Sequence, residues 1–351
     1  MGYTVDWSQR PTYSPEQLDR YFDRIKLPEK YRQSPILQNS ANSDNEAALS
    51  FLKVLERYQV AAVPFENLNL HYSVQRSVSI DPQKLIEKIV DSDSERGGYC
   101  MENSTLFGTV LRSLGYQVTS VGGRVNEAAQ PMSASKNWRG PKYDGCSSMG
   151  SMPIVPWRII TNESPRRNHM VNLVTIGEQK YLIDVGFGSN GPHQPIPLTR
   201  DVEFHNVGDQ SGRLRYGPIP QHTNKNQEQH LWQYEIRNGS ADWIQAYCFT
   251  ETEFLPEDFT MMNYYMSTSR DSWFTFHVVC VRMLLDEGGE NVVGDLTLFN
   301  NSLKRRIGAT SEVIQIFNSD EERVSALHNT FNIHIGPADR DTIRHTISEI
   351  L

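Results

Sequence analysis

The chain has 351 residues, 38% of them hydrophobic, which is enough for two or three globular domains or one large one. Its net charge of -8 argues against a nucleic-acid partner, whose binding surface would be basic. No apolar run is long enough to span a membrane, and the first twenty residues carry no signal-like core, so we predict a cytoplasmic protein without membrane contact.

Helices are predicted for most of residues 1–115. Ser14 stands three residues before a glutamine, which is the spacing of a capping box at a helix start. Apolar residues recur at three- and four-residue steps from 45 to 58 and predict a second helix. Asp81 followed by Pro82 predicts the cap and first residue of a third helix. We therefore expect a helical first domain.

The stretch RGGYC, residues 96–100, comes directly before another helical pattern. Two glycines would end a preceding helix and permit a tight turn, which places Cys100 at or near a helix N-terminus. Unpaired N–H groups and the helix dipole there favour a thiolate over a thiol. A nucleophile and a small buried cysteine both fit this position. The remaining cysteines lack any C-x-x-C pair and indicate free thiols, with neither disulfides nor a metal site: Cys146, Cys248 and Cys280.

Short β-branched runs replace the helical pattern in the middle of the chain. QVTSVGGRV, MVNLVTI and KYLIDVGF predict strands, and GEQ at 177–179 joins the last two as a hairpin. A stretch rich in Pro, Ser, Gly and Met, about 126–167, predicts a long surface insertion. The polar stretch from about 205 to 230 predicts a similar loop. We therefore expect a β domain over residues 116–245.

The last third of the chain, residues 246–351, mixes both patterns. WIQAYCFT, SWFTFHVVCVRMLL and GDLTLFNN predict strands. Ser319 is the expected cap of a closing helix. We therefore expect an α/β domain at this end of the chain.

A histidine and an aspartate occupy one end of the predicted hairpin. His169 opens its first strand and Asp184 closes its second, so antiparallel pairing would make them neighbours. The carboxylate could then accept one imidazole N–H while the other ring nitrogen faces Cys100, as a cysteine nucleophile requires. The alternative is a strand-end histidine with a polar neighbour and no catalytic role.

Five ordered segments resemble the signatures of arylamine N-acetyltransferases. They span most of the chain from about 60 to 300: VPFENLNLH (63–71), RGGYC (96–100), HMVNLV (169–174), DVGFG (184–188) and STSRDSWF (267–274). The resemblance implies an α+β multidomain fold with a helical bundle, a β-barrel and an α/β lid around a Cys-His-Asp core like that of cysteine proteases. It also implies ping-pong acyl transfer from a coenzyme A thioester to an arylamine, hydrazine or arylhydroxylamine, with no permanently bound cofactor.

The same resemblance implies roles for individual residues. Three would be catalytic: Cys100, His169 and Asp184. Three would line the substrate pocket: Phe65, Val125 and Phe187. Three would contact the coenzyme: Gly188, Ser267 and Thr268. Trp273 is interpreted instead as a packing residue.

Charged residues flank several of these segments. We predict a buried ion pair between Arg96 and Glu66 that fixes the Gly-Gly turn; the alternative, two surface charges, would be worth less than about 1 kcal/mol. Arg166 and Arg167 could contact coenzyme phosphates or a donor carboxylate, or belong to a solvated loop.

Two departures from the family pattern point to its fungal members. His169 follows Cys100 by 69 residues, a long interval, and Ser104 stands where the family has an asparagine, which here is Asn103. Some fungal members prefer malonyl-CoA to acetyl-CoA, so both remain candidate acyl donors. A cysteine hydrolase with the same triad and a catalytically idle binding protein are the alternative functions, and the sequence predicts no oligomeric state.

Overall fold

The computed structural model describes residues 9–41, 44–126, 168–270 and 272–350. Within these ranges the helices are α1 (Pro15–Arg24), α2 (Glu29–Arg32), α3 (Ile36–Asn39), α4 (Asn45–Ala62), α5 (Pro82–Ile89), α6 (Cys100–Ser113), α7 (Pro256–Thr268), α8 (Asp320–Phe331) and α9 (Pro337–Arg340). The predicted insertion, from residue 127 on, lies outside the described residues, and so do Cys146, Arg166 and Arg167.

The strands form two antiparallel sheets. They are β1 (Phe65–Glu66), β2 (Gln117–Val125), β3 (Asn168–Ile176), β4 (Gln179–Ile183), β5 (Ile196–Pro197), β6 (Glu203–His205), β7 (Gln210–Gly217), β8 (Leu231–Asn238), β9 (Ile244–Glu253), β10 (Val279–Leu285), β11 (Val292–Phe299), β12 (Ser302–Ile307) and β13 (Thr310–Ile316). The architecture is α+β, because helices precede and follow sheets whose pairings are antiparallel.

Three helix starts follow the capping signals of the sequence. Ser14 accepts the backbone N–H of Gln17, whose side chain accepts the N–H of Ser14 in return. Asp81 caps α5 and Ser319 caps α8, each through one side-chain oxygen. These predictions are confirmed, because each oxygen satisfies an N–H group that the helix itself leaves unpaired.

The larger sheet has eight strands in the order β5-β4-β3-β2-β9-β8-β7-β6. A flat sheet of this width would hold its edge strands roughly 34 Å apart. The chain from Pro197 in β5 to Glu203 in β6 can reach at most about 22 Å. The sheet must therefore curl, and its inner face packs around buried residues such as Val121 and Tyr234.

The curled sheet corrects three sequence predictions. Among the described residues no pairing joins β5 to β6, so the expected β-barrel is a curled open sheet. β7 crosses the polar region that was expected to be a loop, because alternate residues such as Gln210 and Leu214 are buried against β8. β9 pairs with both β2 and β8, so the domain boundary expected after residue 245 falls inside a strand of this sheet.

The smaller sheet has the order β1-β10-β11-β12-β13, and α8 covers one face with a second core that includes Leu298 and Leu327. The strand expected from Ser272 starts only at Val279, because Trp273–Thr275 form a 3-10 turn. α4 packs against β10, while α6 packs against β2, β3 and α5. The start of α6 is thereby placed between both sheets. No described helix combines the length and the apolar character needed to cross a membrane.

Candidate active site

Cys100 is the first residue of α6, and 3% of its surface is exposed. Glu102 in the first turn accepts the backbone N–H of Tyr99 at 3.0 Å and closes the helix start. The Cys100 Sγ lies 3.7 Å from the carbonyl oxygen of Asn168, at the start of β3. The thiol is therefore held between a helix N-terminus, whose dipole favours an anion, and the strand that carries His169.

Close backbone packing around the thiol requires glycine at two positions. A Cβ on Gly97 would stand 1.9 Å from the carbonyl oxygen of Pro64. A Cβ on Gly186 would stand 2.7 Å from the Cα of Cys100. Neither separation is possible for a real side chain, so the RGG and DVGFG segments need glycine to let the backbone approach.

Arg96 and Glu66 form a buried ion pair beneath the Gly-Gly turn. Arg96 Nε donates to Glu66 Oε1 at 2.9 Å, and Arg96 Nη2 donates to Oε2 at 3.2 Å. The same carboxylate accepts the backbone N–H groups of Gly97 at 3.2 Å and Leu68 at 2.5 Å. One side chain thus ties β1 to the turn that leads into Cys100.

Neighbouring cations decide whether the buried carboxyls here carry a charge. Burial alone would raise the pKa of Glu66, but the charges of Arg96 and Lys88 overcome it, and the pKa falls to about 2. Lys88 Nζ lies 3.8 Å from Glu66 and donates to Glu102 at 2.7 Å. At Glu102 burial prevails and raises the pKa in spite of Lys88. Glu66 is therefore the carboxyl group of this network that stays ionised at neutral pH.

The hairpin of β3 and β4 brings His169 and Asp184 together. His169 Nε2 lies 2.8 Å from Asp184 Oδ2, and Asp184 Oδ1 accepts the backbone N–H of Gly186 at 2.9 Å. Burial opposes a positive charge on His169, but Asp184 and Cys100 both favour the imidazolium and raise the pKa of His169 to about 10. Since Nε2 is taken by Asp184, Nδ1 is the ring nitrogen left for the thiol.

A fourth ionisable group, which the sequence analysis missed, lies behind Asp184. Glu56 on α4 is fully buried, and its Oε1 accepts the backbone N–H of Asp184 at 3.2 Å. Burial and the nearby Asp184 raise the pKa of Glu56 well above its usual range. A signal was present in the sequence, because Glu56 follows Leu52 by four residues on the inward face of α4, where a charged residue is unusual.

An apolar cleft opens beside the thiol. Its volume is about 70 Å³, measured as the space open to the centre of a water molecule. The structure brings these residues to its wall: Phe65, Cys100, Val125, His169, Phe187, Gly188, Trp273 and Phe274. The Phe187 ring meets the His169 imidazole edge-on, with 5.2 Å between the ring centres. A narrow aromatic cleft of this kind suits a flat, apolar substrate.

The other described cysteines differ from Cys100. Cys248 and Cys280 are buried free thiols, and burial raises the pKa of Cys248 to about 12. Buried thiols of this kind are inert. Over the described ranges, no three His, Cys, Asp or Glu side chains are grouped so that they could hold a metal ion.

Comparisons with known proteins show the family of the chain. A family model described as N-acetyltransferase matches residues 48–137 and 152–340. The chain belongs to the arylamine N-acetyltransferase family. Among relatives, N-malonyltransferase FDB2 of Fusarium pseudograminearum is 38% identical across 94% of this chain and 92% of its own length. Arylamine N-acetyltransferase of Escherichia coli is 28% identical across 68% of this chain and 67% of its own length.

Solved structures of arylamine N-acetyltransferases share the fold. The Mycobacterium marinum enzyme in complex with CoA gives a TM-score of 0.68 at 22% identity, covering 95% of this chain and 99% of that chain. The Nocardia farcinica enzyme gives 0.66 at 26% identity, covering 93% and 92%. With the Fusarium relative, these matches confirm the expected family and its fungal branch.

Asn103 and Ser104, the two residues that depart from the arylamine N-acetyltransferase pattern after Cys100, both form hydrogen bonds to nearby backbone carbonyl groups. Asn103 Nδ2 donates to the carbonyl oxygen of Pro64 at 3.3 Å, and Ser104 Oγ donates to that of Met170 at 2.8 Å. Asn172 on β3 in turn donates to the carbonyl oxygen of Ser104 at 2.8 Å. Asn103 and Ser104 therefore connect the start of α6 to the residue before β1 and to β3.

Two residues for which the family resemblance implies a coenzyme contact lie outside the wall of the thiol cleft. Ser267 and Thr268 end α7, and neither is among the described residues that line the thiol cleft. Their hydroxyls donate one turn back, to the carbonyl oxygens of Asn263 at 2.8 Å and Tyr264 at 2.6 Å. Trp273, which was interpreted as a packing residue, belongs to the buried core and also lines the cleft.

Proposed function

We propose that the chain is an acyl-CoA-dependent arylamine N-acyltransferase that works through an acyl-Cys100 intermediate. One observation carries the proposal: Cys100, His169 and Asp184 lie in hydrogen-bonding sequence at an apolar cleft. Such a chain of thiol, imidazole and carboxylate activates a cysteine nucleophile. The family of the chain supplies the reaction class, acyl transfer to an amine.

In the first half-reaction the Cys100 thiolate attacks the carbonyl carbon of the donor thioester. The bond from that carbon to the coenzyme A sulfur breaks as the bond to Cys100 Sγ forms. His169, held protonated beside Asp184, gives its proton to the departing sulfur. One thioester replaces another, so no oxidant or reductant is needed.

In the second half-reaction the amine nitrogen attacks the acyl-Cys100 carbonyl. Neutral His169 accepts a proton from the nitrogen, the carbon–sulfur bond breaks, and the thiolate is restored beside an imidazolium. The acceptor must be weakly basic. A strongly basic amine is protonated at neutral pH and then has no lone pair with which to attack the carbonyl carbon. Arylamines meet this condition, and their rings suit the wall formed by Phe65, Val125 and Phe187.

Donor binding would use the Gly188 side of the cleft. A Cβ on Gly188 would stand 3.5 Å from the Phe65 ring, so glycine keeps that wall open for the thioester arm. In this proposal Ser267 and Thr268 contact the coenzyme only through oxygen lone pairs, because their protons already serve the α7 backbone.

The relatives favour malonyl-CoA as the first donor to test and acetyl-CoA as the second. The N-malonyltransferases are 34% and 38% identical to this chain, against 28% for the Escherichia coli arylamine N-acetyltransferase. None of the described side chains that line the cleft is a lysine or arginine. A malonyl carboxylate would therefore point toward the cleft opening and water.

Intact-mass measurement of the purified enzyme with each donor, without any amine, tests the proposal. We expect one acyl adduct, located at Cys100 and lost when an arylamine is added. Cys100→Ser should form none, whereas the matched control Cys280→Ser should acylate normally. Coenzyme A released steadily without an adduct or an amine would point to a hydrolase. No adduct and no released coenzyme A from either donor would favour a binding protein.

A further inference from the structure

The carboxyl group of Glu56 lies behind Asp184. It is fully buried, and its Oε1 accepts the backbone N–H of Asp184 at 3.2 Å. Its Oε2 is shielded from water and has no hydrogen-bond partner among the described residues. Within the described residues, no cationic group lies within 4.0 Å of the Glu56 carboxyl group to form an ion pair.

The groups that face Glu56 offer it no positive charge. They come from three elements: Asp184 at the end of β4, Tyr234 on β8 and Tyr247 on β9. Burial raises the pKa of both tyrosines well above their usual range, so both stay neutral. Asp184 already supplies the negative charge opposite His169. A second carboxylate in this dry site would be uncompensated, which is strongly unfavourable.

We propose that Glu56 is a positioning residue for Asp184 and that it acts as a neutral carboxylic acid. Its hydrogen bond fixes the backbone where β4 passes into the DVGFG segment, so that Asp184 Oδ2 stays within 2.8 Å of His169 Nε2. Its neutrality leaves Asp184 as the single anion that holds the imidazolium. The purpose of this arrangement rests on the proposed function.

Alkylation of Cys100 by iodoacetamide at pH 7, followed by peptide mass spectrometry, tests the positioning. The rate follows the thiolate fraction and therefore the His169–Asp184 pair. Glu56→Leu should slow alkylation about ten- to a hundredfold, because a small displacement of Asp184 weakens that pair. Glu56→Gln should keep the wild-type alkylation rate, since the amide oxygen of glutamine can still accept the Asp184 N–H.

Gln59→Leu is the matched control. Gln59 lies on the same helix, is 1% exposed, and hydrogen bonds to Tyr21 rather than to Asp184. It should lose stability but keep the wild-type alkylation rate. Equal slowing in Glu56→Leu and Gln59→Leu, or no slowing in Glu56→Leu, would overturn the positioning role.

An NMR titration of the His169 ring tests the neutral state. Removing a negative charge from its surroundings would lower the pKa of His169, whereas replacing a neutral acid by an amide would not. We expect the same midpoint in wild type and Glu56→Gln; a lower midpoint in the variant overturns the proposal. If Glu56→Leu does not fold, this comparison still decides whether Glu56 is neutral. Neither readout needs an acyl donor, so an enzyme that alkylates normally but never acylates contradicts the proposed function only.

Discussion

Glu56 and Glu66 are both fully buried and lie ten residues apart, and each contacts a segment of the candidate active site. The pKa of Glu66 falls to about 2, whereas that of Glu56 rises well above its usual range. Burial opposes ionisation at both sites. The difference comes from Arg96 and Lys88, which face Glu66 and have no counterpart near Glu56 among the described residues. One network is therefore ionic and the other neutral, and each fixes a different segment of the site.

Removing the cation of the ionic network should have the largest effect. Arg96→Met leaves Glu66 charged, buried and without its closest partner, which should lower the free energy of unfolding by about 3–5 kcal/mol. Chemical denaturation measures this loss. The double variant Arg96→Met/Glu66→Gln should regain part of it, because no uncompensated charge remains. An unchanged denaturation midpoint in Arg96→Met would mean that the pair contributes nothing.

The second largest effect should be the loss, at low pH, of the stability that ionised Glu66 contributes to the folded protein. Its pKa of about 2 in the folded protein lies below the ordinary 4.5, so its stabilisation is complete above pH 4.5 and is lost as the pH falls toward 2. The full difference is worth about 3 kcal/mol. We expect Glu66→Gln to be less stable than wild type at pH 7 and the gap to close over that window. A gap that is constant with pH would contradict the ionised state.

Lys88→Met should have a smaller effect, because Lys88 is partly exposed and Arg96 still faces Glu66. Loss of its hydrogen bond to Glu102 and its charge should cost about 2 kcal/mol in unfolding free energy. Lys84→Met on the same helix is the control, since Lys84 is exposed and should change stability by less than about 0.5 kcal/mol. Equal losses in both variants would assign the effect to α5 rather than to the network.

The neutral site should show the opposite dependence on pH. The unfolded chain ionises Glu56 near pH 4.5, whereas the folded protein keeps its proton, so wild type loses stability relative to Glu56→Gln as the pH rises. The expected change is about 1.4 kcal/mol between pH 6 and pH 7. Unfolding of both proteins at the two pH values measures it. A difference that stays constant between the two pH values would indicate a Glu56 that is ionised in the folded protein.

Local signals in the sequence located the candidate triad. Cys100 was placed by two glycines before a helical pattern, and the short turn of the hairpin fixed the register that makes His169 and Asp184 neighbours. Glu56 could not be placed this way, because its partner Asp184 lies 128 residues further along the chain. The curl of the large sheet was equally hidden, since it depends on which strands form the two edges.

Motif matching did not predict the hydrogen-bond partners of two hydroxyl groups at the end of α7. The segment that contains Ser267 and Thr268 resembles a coenzyme-binding motif, yet both hydroxyls bond to the α7 backbone. Serine and threonine near a helix end often turn back in this way, and sequence alone does not show which partner prevails. Trp273 packs in the core as predicted, but the sequence did not show that it also forms part of the cleft wall.

The two-residue strand β1 also sets an order of events during synthesis. Phe65 pairs with Val281, which follows it by 216 residues, and Phe65 also bridges to Gly98 just before the thiol. A ribosome synthesises the chain from its N-terminus, so α6 emerges long before β10, the strand that pairs with β1 beside the start of α6. Contacts this distant in sequence form slowly. The thiol therefore reaches its final surroundings only after most of the chain has been made, and a nascent chain that still lacks β10 would carry Cys100 in incomplete surroundings.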